Sequence, residues 1–176
     1  MNRTMIVVSS TVSILSALLC LPVVALPKKA QMLPIEAQTT LKGKTIQLEV
    51  ARTVEQQATG LMFRTELAED RGMIFLFNPP TPINFWMKNT LIPLDMVFTH
   101  SGKVVYLQRN APPCKILDCP VYGAGPQQLV DQVIELQAGT IDRLKLNVAD
   151  PITVEFSKTV KTRALKPGAP RAIRPL

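Results

Sequence analysis

Residues 84–98, NFWMKNTLIPLDMVF, hold the chain's only tryptophan and set a lysine, an asparagine and an aspartate among large apolar side chains. Trp86 offers an aromatic platform, Lys88 and Asn89 offer donors, and Asp95 offers an acceptor. Tyr106 or Tyr122 could add a second ring. This mix suits a sugar or a peptide backbone, because a ring stacks on C–H faces while polar groups select hydroxyls or amides. The competing reading is a core strand in which Trp86 packs and a Lys88–Asp95 ion pair sets the register, with Arg71 as a rival partner. On an extended strand Leu94, Met96 and Phe98 share the core face, so Asp95 points the other way.

Chemistry beyond binding has weaker support. Asp95 with Lys88 could serve an envelope hydrolase. Asp95 with Glu49 has the residue types of a glycosidase pair, but nothing in the sequence brings those two together. The single histidine, His100, falls in a turn, and no nucleophile-elbow or His-rich metal motif is present. Met62, Met73, Met87 and Met96 are clustered, and thioethers suit Cu(I). Methionine also fills irregular core gaps, and three of the four lie inside apolar runs. No catalytic residue, metal site or cofactor is therefore expected, with a hydrolase and a periplasmic Cu(I) binder as the alternatives.

The chain's ends bear on its compartment. Residues 5–24 carry no charge, Arg3 precedes them, and Val23 and Ala25 are small, which is the pattern of a signal peptide over 1–25 or of an uncleaved anchor. Export to the periplasm or outside the cell changes how the cysteines read. Cys20 lies in the leader. Cys114 and Cys119, in APPCKILDCPVYG, form an even pair on a Pro-rich loop and are expected to be a disulfide that shapes it.

The formal charge of +7 is not a nucleic-acid signal. Residues 26–156 hold 13 Lys and Arg against 13 Asp and Glu. The excess is Arg3 and a tail, 157–176, with six basic residues, three prolines and no acid. Membrane contact is expected only through the leader or this tail. The partners expected are a glycan, a peptide or an envelope protein, with the protein itself a monomer.

Residues 26–42 read as a linker and 43–156 as one globular domain. TIQLEVA (45–51) alternates as a half-buried strand, and Thr53 with Gln56 forms a capping box opening a helix with Val54, Leu61 and Ala58 inward. Gly60 marks that helix's end or a close approach. MIFLF (73–77) is a buried strand, broken by NPPTP. Strands follow at 83–90, 94–99, 104–110, 132–137 and 150–156, with HSGK as a hairpin turn and a short helix N-capped by Thr140. The pattern predicts a mostly β or α+β fold: a compact, antiparallel, barrel-like sheet of about seven strands with two short helices.

The segments RTELAEDRGMIFLF, FWMKNTLIPLDMVF, GKVV, APPC…C and VIELQAGT…LKLNVADPITVEF occur here in one order. In this the chain resembles the domain-of-unknown-function family 192 over about residues 43–156. The resemblance implies a small, mostly β, exported or membrane-tethered prokaryotic domain with no established activity. It supplies no catalytic residues. The family's late Gly-Asp dipeptide is Ala149-Asp150 here, a departure confined to one turn.

Overall fold

A computed structural model describes residues 29–157. The expected leader, Cys20 and nearly all of the basic tail lie outside them. Nine strands and two short helices run in the order β1 (Ile35–Leu41), β2 (Lys44–Ala51), α1 (Val54–Thr59), β3 (Arg71–Thr81), β4 (Asn84–Trp86), β5 (Leu94–His100), β6 (Lys103–Ala111), β7 (Val121–Gly123), β8 (Val130–Gln137), α2 (Thr140–Arg143) and β9 (Val154–Phe156). Seven strands form one sheet in the order β6-β5-β8-β3-β2-β1-β9, and β4 pairs with β7 in a separate ribbon.

The mostly β class, the seven-stranded sheet and the two short helices are as the sequence predicts, with two differences of topology. The sheet is mixed, because β2 and β3 run parallel. That pairing needs a crossover, which α1 and the following loop supply. The sheet is also not closed into a barrel. Its edge strands β6 and β9 do not pair, although residues 149–152 bond the start of β6 through Val104 N to Asp150 O (3.0 Å) and Ile152 N to Gly102 O (2.9 Å).

Residues 35–41, read as part of a linker, form β1. A two-residue turn at Lys42 and Gly43, both with positive φ (47° and 85°), folds β1 back on β2. Such turns match the right-handed twist of the strands they join. Ser101 and Gly102 make the equivalent turn between β5 and β6 (φ 50° and 73°), as HSGK predicts.

Both faces of the central sheet are covered, which gives two cores. One holds Ile46, Leu48, Ile74, Val97, Ile134 and Leu136. The other holds Met73, Phe75, Met96, Phe98 and Val133, with Met87 and Leu61 laid over them. Strands buried on both faces read as apolar runs rather than alternations, hence MIFLF in β3 and VIEL in β8. The Thr53 capping box forms as expected, with Gln56 N bonded to Thr53 Oγ1 and Thr53 N to Gln56 Oε1. Val54 and Ala58 are exposed rather than inward, because α1 lies across the sheet only by its C-terminal end.

Candidate functional site

That C-terminal end is where the chemistry collects. α1 stops at Gly60, whose φ of +49° is in the left-handed region that favours glycine. A Cβ there would stand 3.3 Å from Phe75 Cζ and 3.7 Å from Glu135 Oε2. The missing side chain lets the helix end close over the sheet at one carboxyl group.

Glu135 lies on β8, opposite Met73 of β3 and Met96 of β5. It is 5% exposed, and its Oε2 has no hydrogen-bond partner. Burial pushes its carboxyl up to about 8, and the Arg64 guanidinium opposes this only in part. Arg64 is engaged elsewhere. Its Nη1 and Nη2 donate to Glu49 Oε1 and Oε2, both at 2.7 Å, and Nη2 also donates to Gln31 O at 2.7 Å. Glu49 Oε2 further accepts from Leu33 N at 2.7 Å. The cation thus neutralises Glu49 and leaves Glu135 unpaired, so near neutral pH the latter is held as the acid.

Glu135 faces a cavity of about 30 Å³, bounded by Gly60, Met62, Phe75, Phe85, Trp86 and Thr90. The cavity shares Gln57, Ala58, Phe75, Phe85 and Trp86 with an outer cleft of about 290 Å³ that Phe77 and Ile83 extend. Edge-to-face contacts of Phe85 with Phe75 (4.9 Å), Phe98 (5.8 Å) and Phe77 (6.4 Å) fix the ring wall. A broader hollow of about 550 Å³ lies over Glu49 and Arg64. Both Glu49 oxygens are bonded there, and the one atom of the pair left without a partner is a donor, Arg64 Nε, so this hollow offers a ligand no free acceptor from the pair.

The residues expected from sequence separate into two groups. Trp86 and Lys88 come together at the rim of the cleft. The tryptophan is 46% exposed, and Lys88 Nζ lies 5.1 Å from its ring centroid, covering one face. Asn89 instead ties two loops together. It has φ +59°, its carbonyl accepts from Phe63 N (2.9 Å), and its Nδ2 meets Met62 Sδ at 3.8 Å. Tyr106 packs on Phe98 and donates to Gln108 Oε1 (2.9 Å). Tyr122 is half-buried opposite Phe85.

Asp95 is fully buried and makes no pair with Lys88. Its Oδ1 accepts from Asn110 N at 2.8 Å and its Oδ2 from Ile141 N at 2.7 Å. The first bond holds the irregular step between β5 and β6, and the second caps α2. The expected Thr140 cap is therefore supplied by Asp95, with Gly139 at the N-cap position and no side-chain bond of its own.

The Cys114–Cys119 disulfide forms, and its loop braces the tryptophan segment through Cys114 N to Met87 O (3.2 Å). Met73, Met87 and Met96 are at most 1% exposed within the second core, where they pack against aromatic and aliphatic side chains. Among the described residues, no group of three or more His, Cys, Asp or Glu could hold a metal ion, and no helix is long and apolar enough to cross a membrane. Glu135 and the Glu49–Arg64 pair are absent from the sequence reading. The signal for Glu135 was an acid inside VIEL, an otherwise apolar run.

Residues 37–154 match the model of DUF192, a family described as an uncharacterised ACR. Two solved structures are similar. A protein of unknown function from Novosphingobium aromaticivorans DSM 12444 is 34% identical with a TM-score of 0.60, over 72% of this chain and 94% of that one. A Sinorhizobium meliloti 1021 protein, described as a proposed transcription regulator, is 32% identical with a TM-score of 0.60, over 70% of this chain and 98% of that one. No curated protein matches.

Proposed function

The chain belongs to DUF192, an uncharacterised family, and from the geometry of its own site we propose that it is a non-enzymatic binding module of the cell envelope. Its ligand is a glycan or peptide group that enters the cleft between α1 and β4. The observation that carries this reading is a half-exposed Trp86 at the rim of a cleft whose floor is an unpartnered acid. Ligand sites combine a mostly apolar lining with a few polar groups aimed inward, and this cleft has that composition. The charge-free run at 5–24 behind Arg3 and the paired cysteines support an extracytoplasmic setting.

The hydrolase alternative loses its residues. Both Asp95 oxygens are occupied by backbone N–H groups on the far side of the sheet, and Lys88 stacks on Trp86. The description of the Sinorhizobium protein suggests DNA, but residues 29–157 hold 12 Lys and Arg against 13 Asp and Glu. Phosphate contacts need an excess of cations.

The test is a thermal-shift screen of the oxidised protein against glycans, peptidoglycan fragments and short peptides. A ligand at 100 times its dissociation constant adds about 2.7 kcal/mol, which raises the melting temperature by at least roughly 5–10 °C in a domain of this size. The shift should disappear in Trp86→Ala. A ligand whose shift survives that substitution binds elsewhere and refutes the assignment of the cleft.

A further inference from the structure

We propose that the cavity against Glu135 receives a primary alkylammonium, the group at the end of a lysine-type side chain, with the alkyl stem lying in the outer cleft beside Phe85 and Trp86. This rests on the reading of the cleft as a binding site and names the chemistry it selects.

Four observations converge. The first is the acid itself, 5% exposed, bordering the cavity and with no donor from the protein to its Oε2. A carboxyl this buried gives up its proton only to a partner of opposite sign, because the bare charge is costly there. The nearby cations do not supply one, since Arg64 is held by Glu49 and Gln31 O, and Lys88 lies over the Trp86 ring at the rim.

The second is the wall. Phe75, Phe85 and Trp86 line the cavity, and aromatic faces attract ammonium groups through the ring quadrupole. The third is size. About 30 Å³ accommodates one water-sized group, which fits –NH3⁺ and excludes a sugar ring. The adjoining cleft of about 290 Å³ is lined by Phe77, Ile83 and Phe85, apolar surface suited to a methylene stem. The fourth is a second acceptor, because Thr90 borders the same cavity. Its hydroxyl can take another of the ammonium's three N–H donors.

The exchange balances in protons. Near neutral pH Glu135 is protonated. When R–NH3⁺ enters, the carboxyl releases its proton to solvent and the carboxylate pairs with the ammonium, so one proton leaves for each amine bound. A neutral hydroxyl or amide entering the same cavity would leave the acid protonated and release none.

The experiment is isothermal titration at pH 7 of the oxidised, full-length protein in two buffers of different ionisation enthalpy. The probes are n-butylamine, Nα-acetyl-lysine amide, glucosamine and n-butanol. Butylamine and the lysine amide should bind with about one proton released each. Butanol, the neutral isostere, should bind at least about tenfold more weakly, the usual margin for a charged hydrogen bond. Glucosamine, whose ammonium sits on a ring, should not compete. Glu135→Gln should abolish both the amine preference and the proton release while keeping a cooperative melt. The wild-type proton count stands without any variant. Equal binding of butanol, or amine binding without proton release, overturns the proposal. If amines fail but another ligand binds in a Trp86-dependent way, the ammonium assignment falls and the binding module stands. If no ligand depends on Trp86, both fall.

Discussion

Glu135→Gln should make the protein more stable at pH 8 than wild type, and the gain should shrink as the pH falls. The sign follows from where the proton sits. In the unfolded chain this carboxyl titrates near 4.5, and in the folded chain near 8. Below pH 4.5 both states hold the proton, so the group contributes nothing. Between 4.5 and 8 the folded state keeps it while the unfolded state gives it up. Each pH unit in that window therefore favours unfolding by about 1.4 kcal/mol, to a total of about 5 kcal/mol at pH 8 and above. That is a large share of the stability of a domain this size, about 5–15 kcal/mol. Glutamine has the same shape and cannot ionise, so the variant lacks this penalty. Urea unfolding of both proteins at pH 5, 6, 7 and 8 isolates the effect, because all other titrating groups cancel in the difference. The variant's advantage should grow by several kcal/mol from pH 5 to pH 8. A difference that stays constant within about 0.5 kcal/mol, the spread of an ordinary surface substitution, would refute the claim that Glu135 is held as a neutral acid. Retaining a residue this costly in a central strand fits a selected function better than a packing role.

Other expectations concern the scaffold around the cleft. Arg64→Ala strands the buried Glu49 carboxylate and should cost about 3–5 kcal/mol, whereas Arg64→Met combined with Glu49→Leu should recover most of that loss in the same urea titration. Asp95→Asn presents an amide N–H₂ where two backbone donors converge, from Asn110 and Ile141. It should lose about 2–3 kcal/mol and leave ligand binding to the folded protein unchanged, which calorimetry of the variant can check. Ala149 has φ +73°, a backbone conformation that favours glycine. Ala149→Gly should raise stability by about 1 kcal/mol, the cost of a Cβ in the left-handed region, read as a higher urea midpoint with unchanged slope.

What the sequence determined is mostly what neighbours along the chain decide. The Thr53–Gln56 capping box, the glycine at the end of α1 and the HSGK turn each depend on a few consecutive residues, and each forms as read. The disulfide spans five positions and forms too. The apolar runs MIFLF and LDMVF were legible as strands because burial on two faces leaves little room for polar residues. The partners of the charged side chains were not legible. Asp95 looked like the natural mate of Lys88, seven residues away, yet it bonds backbone groups 15 and 46 residues distant. The order of strands brings those groups to it, and hydrophobic periodicity carries no information about strand order. β1 passed for linker because its inward positions, Ala37, Thr39 and Leu41, include only one large apolar side chain, and its place beside β2 follows from a turn at Lys42 and Gly43. Glu135 shows the limit most plainly. Its residue type and its run of neighbours were visible, but its lack of a partner was not. That depends on Arg64 binding Glu49 instead, and on Gly60 bringing the end of α1 down over the carboxyl. Both are contacts between residues far apart in the chain, set by how the crossover packs on the sheet.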